Sequence, residues 1–252
     1  DFKAEHNSFA SVVHNNIKQM LFGIKLDNAV TEIMEARANG EKVVVAVDTT
    51  MGSMLAEMAK DQKLKDGDPL PGFDWPFVLE RALNRRYIVK VTDEKGFGRE
   101  FHLLNDLDEE QRAEFGQIID VLHQAHADVV DSIEASRDLL ERIPGSPIDY
   151  MKNELTKRGE RVGEITGRSR TGNWTVDYGA TAAAELPLGD ATTLDEPTLR
   201  AGKGDDRADT IRAFNGGDLD IVIINKAAAE GLSLHASKDF ADQSPRKMIV
   251  VQ

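Results

Sequence analysis

The chain switches between two hydrophobic periods. Over residues 8–38, apolar positions recur at steps of three and four, through Val12, Val13, Ile17, Met20, Leu21, Ile24, Ala29, Val30, Ile33 and Met34. That is the spacing of one buried helix face, and it predicts a single helix. Asn39-Gly40 stops it, the glycine suited to the left-handed position just past a helix end. Val43-Val44-Val45-Ala46-Val47 then runs without a polar break, as a strand covered on both faces does, into the polar loop Asp48-Thr49-Thr50-Met51-Gly52-Ser53. The same order returns over residues 203–235. An amphipathic helix carries Ile211 and Phe214, Gly216-Gly217 stops it, Ile221-Val222-Ile223-Ile224 is a second continuous apolar run, and a loop of small residues ends in Gly231-Leu232-Ser233. In open α/β sheets, ligands sit at loops on the carboxyl ends of the strands.

Between these two units the pattern changes. Asp66-Gly67-Asp68-Pro69 and Pro71-Gly72 mark loops. Residues 87–91 and 97–103 flank Asp93-Glu94-Lys95-Gly96 and predict a β-hairpin. A long helical pattern follows over 108–143, with room for one break. Its stripe of Phe115, Ile118, Leu122, Ala125, Val129, Ile133 and Leu140 is close to a coiled-coil seam. Residues 56–143 are therefore expected to be an inserted hairpin and helical arm, set into a core made of 1–55 and 144–252. After the arm, Ser146 is placed to cap a helix beginning at Pro147 and carrying Ile148, Met151 and Leu155. Residues 161–166 form the next strand. Residues 168–202 mix Gly, Thr, Ala and Asp and predict a surface loop with a short hairpin at 174–178.

Composition narrows this picture. The 252 residues are 40% hydrophobic and 30% charged, ordinary for a globular protein and ample for a core. No apolar run approaches the roughly 20 residues a membrane helix needs, and no signal peptide opens the sequence. There is no cysteine, which removes disulfides and thiolate metal sites and is compatible with the cytoplasm, the expected location. The net charge of −13 argues against a broad basic face for nucleic acid, but not against a few hydroxyls and amides gripping phosphates locally. The sequence opens at Asp1 and closes within a strand-like run at 247–251, so it reads as a piece of a longer protein.

The second unit resembles motif V and its preceding helix in superfamily 2 helicases. Arg207, Phe214, Gly217, Asn225, Gly231 and Ser233 keep every interval of that pattern, with Asn225 where Thr is usual and Ser233 where Asp is usual. The closing string Gly231-Leu232-Ser233-Leu234-His235-Ala236-Ser237 looks like the Strawberry Notch branch and its bacterial and phage relatives. So do Ser146-Pro147-Ile148-Asp149-Tyr150 and Glu164-Ile165-Thr166-Gly167-Arg168. The loop after the first strand resembles motif IV, where Asn-Thr-Met-Gly-Ser is usual. The resemblance covers residues 8–55 and 144–252. It implies a three-layer α/β fold, the second RecA-like lobe of an ATP-dependent DNA helicase or translocase, with RNA as a further candidate substrate. It also implies a first RecA-like lobe of the same polypeptide as partner, with ATP and Mg²⁺ bound by the whole protein.

Site residues follow from the resemblance and are weighed against plainer roles. Gly231 would let the backbone approach a nucleotide, and Ser233 would hydrogen-bond the ribose; the plain alternative is a strand-to-helix turn needing glycine. Asn225, Thr49 and Thr50 end two strands and would reach phosphates of one nucleic-acid strand, or simply cap helices. Apart from the resemblance, Arg168 and Arg170 beside Trp174 suit stacking on a base, while Trp174 equally suits packing on the hairpin. Ser233 and His235 do not make a nucleophile and base, since no third group orients them and Gly-x-Ser-x-Gly is missing. His123 and His126 have a spacing that a metal pair can use, but a charged helix shows such pairs by chance.

What is missing bears on enzymology. There is no Gly-x-x-x-x-Gly-Lys-Ser/Thr, no acidic pair after a buried strand to hold Mg²⁺, and no arginine motif after 247–251. This chain alone is expected to bind no nucleotide tightly and to hydrolyse no ATP. The competing expectation is a non-catalytic helicase-like scaffold whose arm binds a protein partner. The letters at Asn225 and Ser233 and the acidic charge favour it.

Overall fold

A computed structural model describes residues 9–48, 50–70, 72–92, 98–170, 173–179, 197–202, 206–225 and 231–251. The expected helix over 8–38 is two helices, α1 (Phe9–Ile24) and α2 (Leu26–Ala38). At the junction the Lys25 N–H is shared between the carbonyls of Leu21 and Phe22, each at 3.1 Å, a tightening of the ladder just after Gly23. α2 ends as its sequence indicates. Gly40 takes φ +76°, and the amides of Gly40 and Glu41 bond back to Arg37 and Ala36, satisfying the last carbonyls.

β1 (Lys42–Val47), α3 (Gly52–Asp61), α4 (Trp75–Asn84), and the antiparallel pair β2 (Ile88–Thr92) and β3 (Gly98–His102) come next. They are followed by α5 (Glu109–Ala135), α6 (Arg137–Leu140), α7 (Pro147–Lys157) and β4 (Val162–Ile165). The antiparallel pair β5 (Asn173–Asp177) and β6 (Thr198–Gly202), α8 (Arg207–Gly216), β7 (Ile221–Asn225) and β8 (Arg246–Val251) complete the order. The hairpin at β2–β3 and the long helix fall where the sequence puts them, although Asp93–Gly96 itself lies outside the described residues. The short hairpin expected at 174–178 is instead one strand, paired with β6 at the far end of the stretch read as a surface loop, with Val176, Tyr178 and Leu199 buried.

The main sheet is parallel, in the order β4-β7-β1-β8. Its middle strands are buried throughout or nearly so, which is why they read as continuous apolar runs. Alternation divides them between two faces. Val44, Val222, Ile224 and Ile165 meet Phe214 of α8 in one cluster, joined by Ile211 and Leu219. Val43, Val45, Ile221 and Ile223, all fully buried, point the other way. That face is left to α2 and α7, which pack on each other and along β1, β8 and β4.

The chain separates into two compact units, one of Asp1–Asn16 and Asp74–Arg142, the other of Ile17–Phe73 and Ile143–Gln252. The inserted segment thus begins at Asp74, where the sequence suggested 56, and residues up to Asn16, expected in the core, group with it. The difference has a cause in packing. α3 buries Leu55, Met58 and Ala59, and the segment after it joins the small sheet through Gly67 N–H to Leu199 O (2.8 Å) and Leu70 N–H to Pro197 O (2.7 Å). Within the inserted unit, α4 is capped by Asp74, whose carboxylate accepts from the Phe77 N–H at 2.9 Å, and packs against α5.

Candidate functional site

The two ends of the parallel sheet differ in chemistry. At the amino ends, ion pairs close the surface. Asp220 accepts from Arg37 and, through both oxygens, from Arg161, each at 2.8 Å. Lys42, 3% exposed, donates to Asp242 at 2.8 Å and to the Phe214 carbonyl, and lies 4.5 Å above the Phe214 ring. Burial pulls the Lys42 pKa down while Asp242 opposes the shift; burial would raise Asp242, but the Lys42 hydrogen bond brings it well below the usual carboxylate range. Arg37, Arg161 and Lys42 there each pair with carboxylates of the fold.

At the carboxyl ends, loops and neutral donors dominate. The register sets Val47 opposite Asn225 and Val251, and Ile165 opposite Ile224, so the chain leaves β1, β4 and β7 side by side. Asp48 follows β1 and pairs with Lys18. Thr50 is half-buried in that loop, and Thr49 lies outside the described residues. Asn225, 8% exposed, ends β7; a Cβ on Gly167, after β4, would stand 3.9 Å from its amide nitrogen. Gly167 and Asn225 therefore meet at the ends of β4 and β7, and Thr50 lies in the loop that follows the neighbouring β1.

The Gly231–Ser233 segment has a clear local logic. Leu232 and Leu234 pack into the α8 cluster, so Gly231, Ser233 and His235 face outward. Gly231 has φ +70°, where a side chain is strained, and a Cβ there would approach the Arg207 guanidinium to 3.9 Å. The Ser233 carbonyl accepts from the Asn215 side chain at 2.9 Å, which fastens the segment to the last turn of α8. Asn215 was not singled out from sequence, and a polar residue next to Gly216-Gly217 gave no sign that it would be buried. Outward alternation also brings Ser233 Oγ and His235 Nδ1 to 3.1 Å. His235 otherwise stands at 5.8 Å from the Phe240 ring.

Arg168 requires a correction. Expected to face a base, it lies inside the fold with its side chain 3% exposed. It forks onto Asp149 at 2.6 and 2.9 Å and onto Glu164 at 2.7 and 2.8 Å. Asp149 also accepts from Ser146 Oγ (2.6 Å) and the Val176 N–H (3.0 Å), and Glu164 from Thr166 Oγ1 (2.6 Å). Lys152, 3.5 Å from Glu164, brings the cluster to two cations and two carboxylates. Burial would raise the Glu164 pKa, but Arg168, with Lys152 and Thr166, overcomes this and holds it at about 2; burial likewise opposes the charge on Arg168, and Asp149 and Glu164 together more than compensate. Ser146 stands at the N-cap with Pro147 after it, as expected, but its hydroxyl serves Asp149 rather than the helix amides. Sequence reasoning missed Asp149 and Glu164 as partners because they sit 19 and 4 residues from Arg168, on different elements.

On the inserted unit, His126 Nε2 is 2.9 Å from Asn84 Oδ1 and its ring meets Tyr87 edge-on. Among the described residues no group of three or more His, Asp or Glu is arranged to hold a metal, and no helix is long and apolar enough to cross a membrane. Comparisons with known protein families, with curated proteins and with solved structures found no match.

Proposed function

We propose that this chain is the second RecA-like lobe of a Strawberry-Notch-like superfamily 2 helicase or translocase, and that the carboxyl edge of its parallel sheet carries nucleic acid. The observation that supports this most is the set of adjoining ends of β1, β4 and β7, where Gly167 stands against the Asn225 amide and Thr50 lies in the loop after β1, with Gly231 held at φ +70° beyond β7. Neutral hydroxyl and amide donors suit phosphate oxygens and carry no sequence preference. An acidic chain that binds a polyanion needs such a local surface rather than a basic face.

ATP and Mg²⁺ belong to the whole protein in this reading. The residues present fit only the sugar side of a nucleotide: Gly231 leaves room beside the backbone, and Ser233 offers an exposed hydroxyl. They supply neither a phosphate-cradling loop nor the acids that hold Mg²⁺. The bound nucleotide would supply the free energy for movement. This chain would supply one wall of the cleft and part of the track.

Two substitutions separate the roles, made in the protein carrying both lobes and checked by thermal melts. Asn225→Ala should weaken single-stranded DNA binding by about 0.5–1.5 kcal/mol, the worth of one neutral hydrogen bond, with basal ATP binding kept. Gly231→Val should abolish ATP turnover while DNA affinity without nucleotide stays near wild type, because a β-branched residue resists a positive φ. If both folded variants match the wild type in both assays, the helicase reading gives way to the scaffold.

A further inference from the structure

Arg168 sits at the same sheet edge yet faces inward, and its surroundings suggest what it does there. It belongs to the 3-10 turn Gly167–Arg170 that follows β4. Its two forks reach Asp149 in the first turn of α7 and Glu164 on β4 itself. Asp149 in turn holds the Val176 N–H of β5. On the other side, α3 starts at Gly52, and a Cβ on that glycine would lie 2.6 Å from the Arg168 Cβ. Gly52 has no positive φ to explain it, so the close approach to Arg168 is what the missing side chain serves. Next along the chain from Arg168 is Gly167, the residue against the Asn225 amide.

We propose that Arg168 is a positioning residue: from within the domain it fixes the turn after β4 and the start of α3 against each other, and so sets the spacing of the loops that meet at the sheet's carboxyl edge. This rests on the nucleic-acid reading for what those loops bind, but the bracing itself does not. A guanidinium suits the task because its planar donors satisfy two carboxylates in fixed directions at once. A lysine keeps the charge but offers a single nitrogen.

Arg168→Lys and Gly52→Ala are therefore the informative variants of the full chain. The first loosens the brace from the charge side; the second forces apart the two elements and leaves every charge in place. Hydrogen exchange of individual amides and affinity for a single-stranded oligodeoxythymidine are measured on both, beside the wild type. Exchange at Ser53 to Leu55, the first turn of α3, and at Gly167 should be at least tenfold faster, while amides in β1 and β7 change less than threefold. Oligonucleotide affinity should fall about tenfold. A cluster that only stabilises the fold would speed exchange in β1 and β7 in the same proportion, and that result, or wild-type exchange at both loops in a folded Gly52→Ala chain, overturns the proposal. If Arg168→Lys does not fold, Gly52→Ala decides by the same amides. If the wild type binds no oligonucleotide, the nucleic-acid reading fails and local exchange alone decides the brace.

Discussion

Glu164 is a carboxylate kept ionised in a place where burial alone would raise its pKa. Arg168 provides the opposing force, through two hydrogen bonds and its charge, and holds the pKa at about 2. The folded value lies below the unfolded one, so the linked stability is fully present above about pH 4.5 and is lost as pH falls toward 2. Glu164→Gln has no such titration. Chemical unfolding at pH 5, 4 and 3 should show the wild type losing more stability than the variant, approaching about 3 kcal/mol over the whole window. Parallel pH dependences would mean that Glu164 is not held down in the native state. Arg168 itself was legible only in part. Its place after a strand could be read from Glu164-Ile165-Thr166-Gly167-Arg168, but the direction of its side chain depends on Asp149 from α7, and local sequence carries no such information.

Elements were read most surely where one face decides them. β1 and β7 are buried on both sides, and their unbroken apolar runs left no competing period. α8 was legible from its apolar positions and its glycine stop, Gly217, which closes the helix at φ +95°. Its start is capped by Asp206, which accepts from the Ala208 and Asp209 amides at 2.8 and 3.1 Å and was not singled out in the sequence. Asp206→Ala should cost about 1 kcal/mol through the lost cap. Gly217→Ala should cost a similar amount, about 1 kcal/mol, through the left-handed conformation. Denaturant midpoints check both, and a change under a few tenths of a kcal/mol in either would show that tertiary contacts hold that end. The residues around 56–73 were harder to read. α3 buries Leu55, Met58 and Ala59 and packs against β5, and the segment after it bonds through its backbone to Leu199 and Pro197, all partners far away in sequence; short loops with Pro and Gly look alike whether they border an insertion or a core.

For the molecule as a whole, two units and a net charge of −13 set the frame. Phe73 and Gly145 stand together: a Cβ on Gly145 would lie 2.8 Å from the Phe73 carbonyl oxygen, so the chain leaves and re-enters the sheet unit at neighbouring points. A protein keeping Ile17–Phe73 and Ile143–Gln252, joined by a short Gly/Ser linker, should fold and melt cooperatively. A molten or aggregated product would place the inserted unit in the core. The intact chain should show no ATP turnover above background, since it lacks a phosphate-cradling loop; turnover that follows the folded protein through purification would contradict this. The central claim is that nucleic acid lies on the carboxyl edge of the parallel sheet, and a hydrogen-exchange footprint tests it most directly. With single-stranded oligodeoxythymidine at low salt and no nucleotide, protection should appear at Asp48–Ser53 and Thr166–Gly167, and neither at Gly231–His235, where the nucleotide is proposed to lie, nor at the ion-paired amino ends around Lys42 and Asp220. Protection confined to the amino ends or to α5, or no protection with oligonucleotide in excess, would contradict the account.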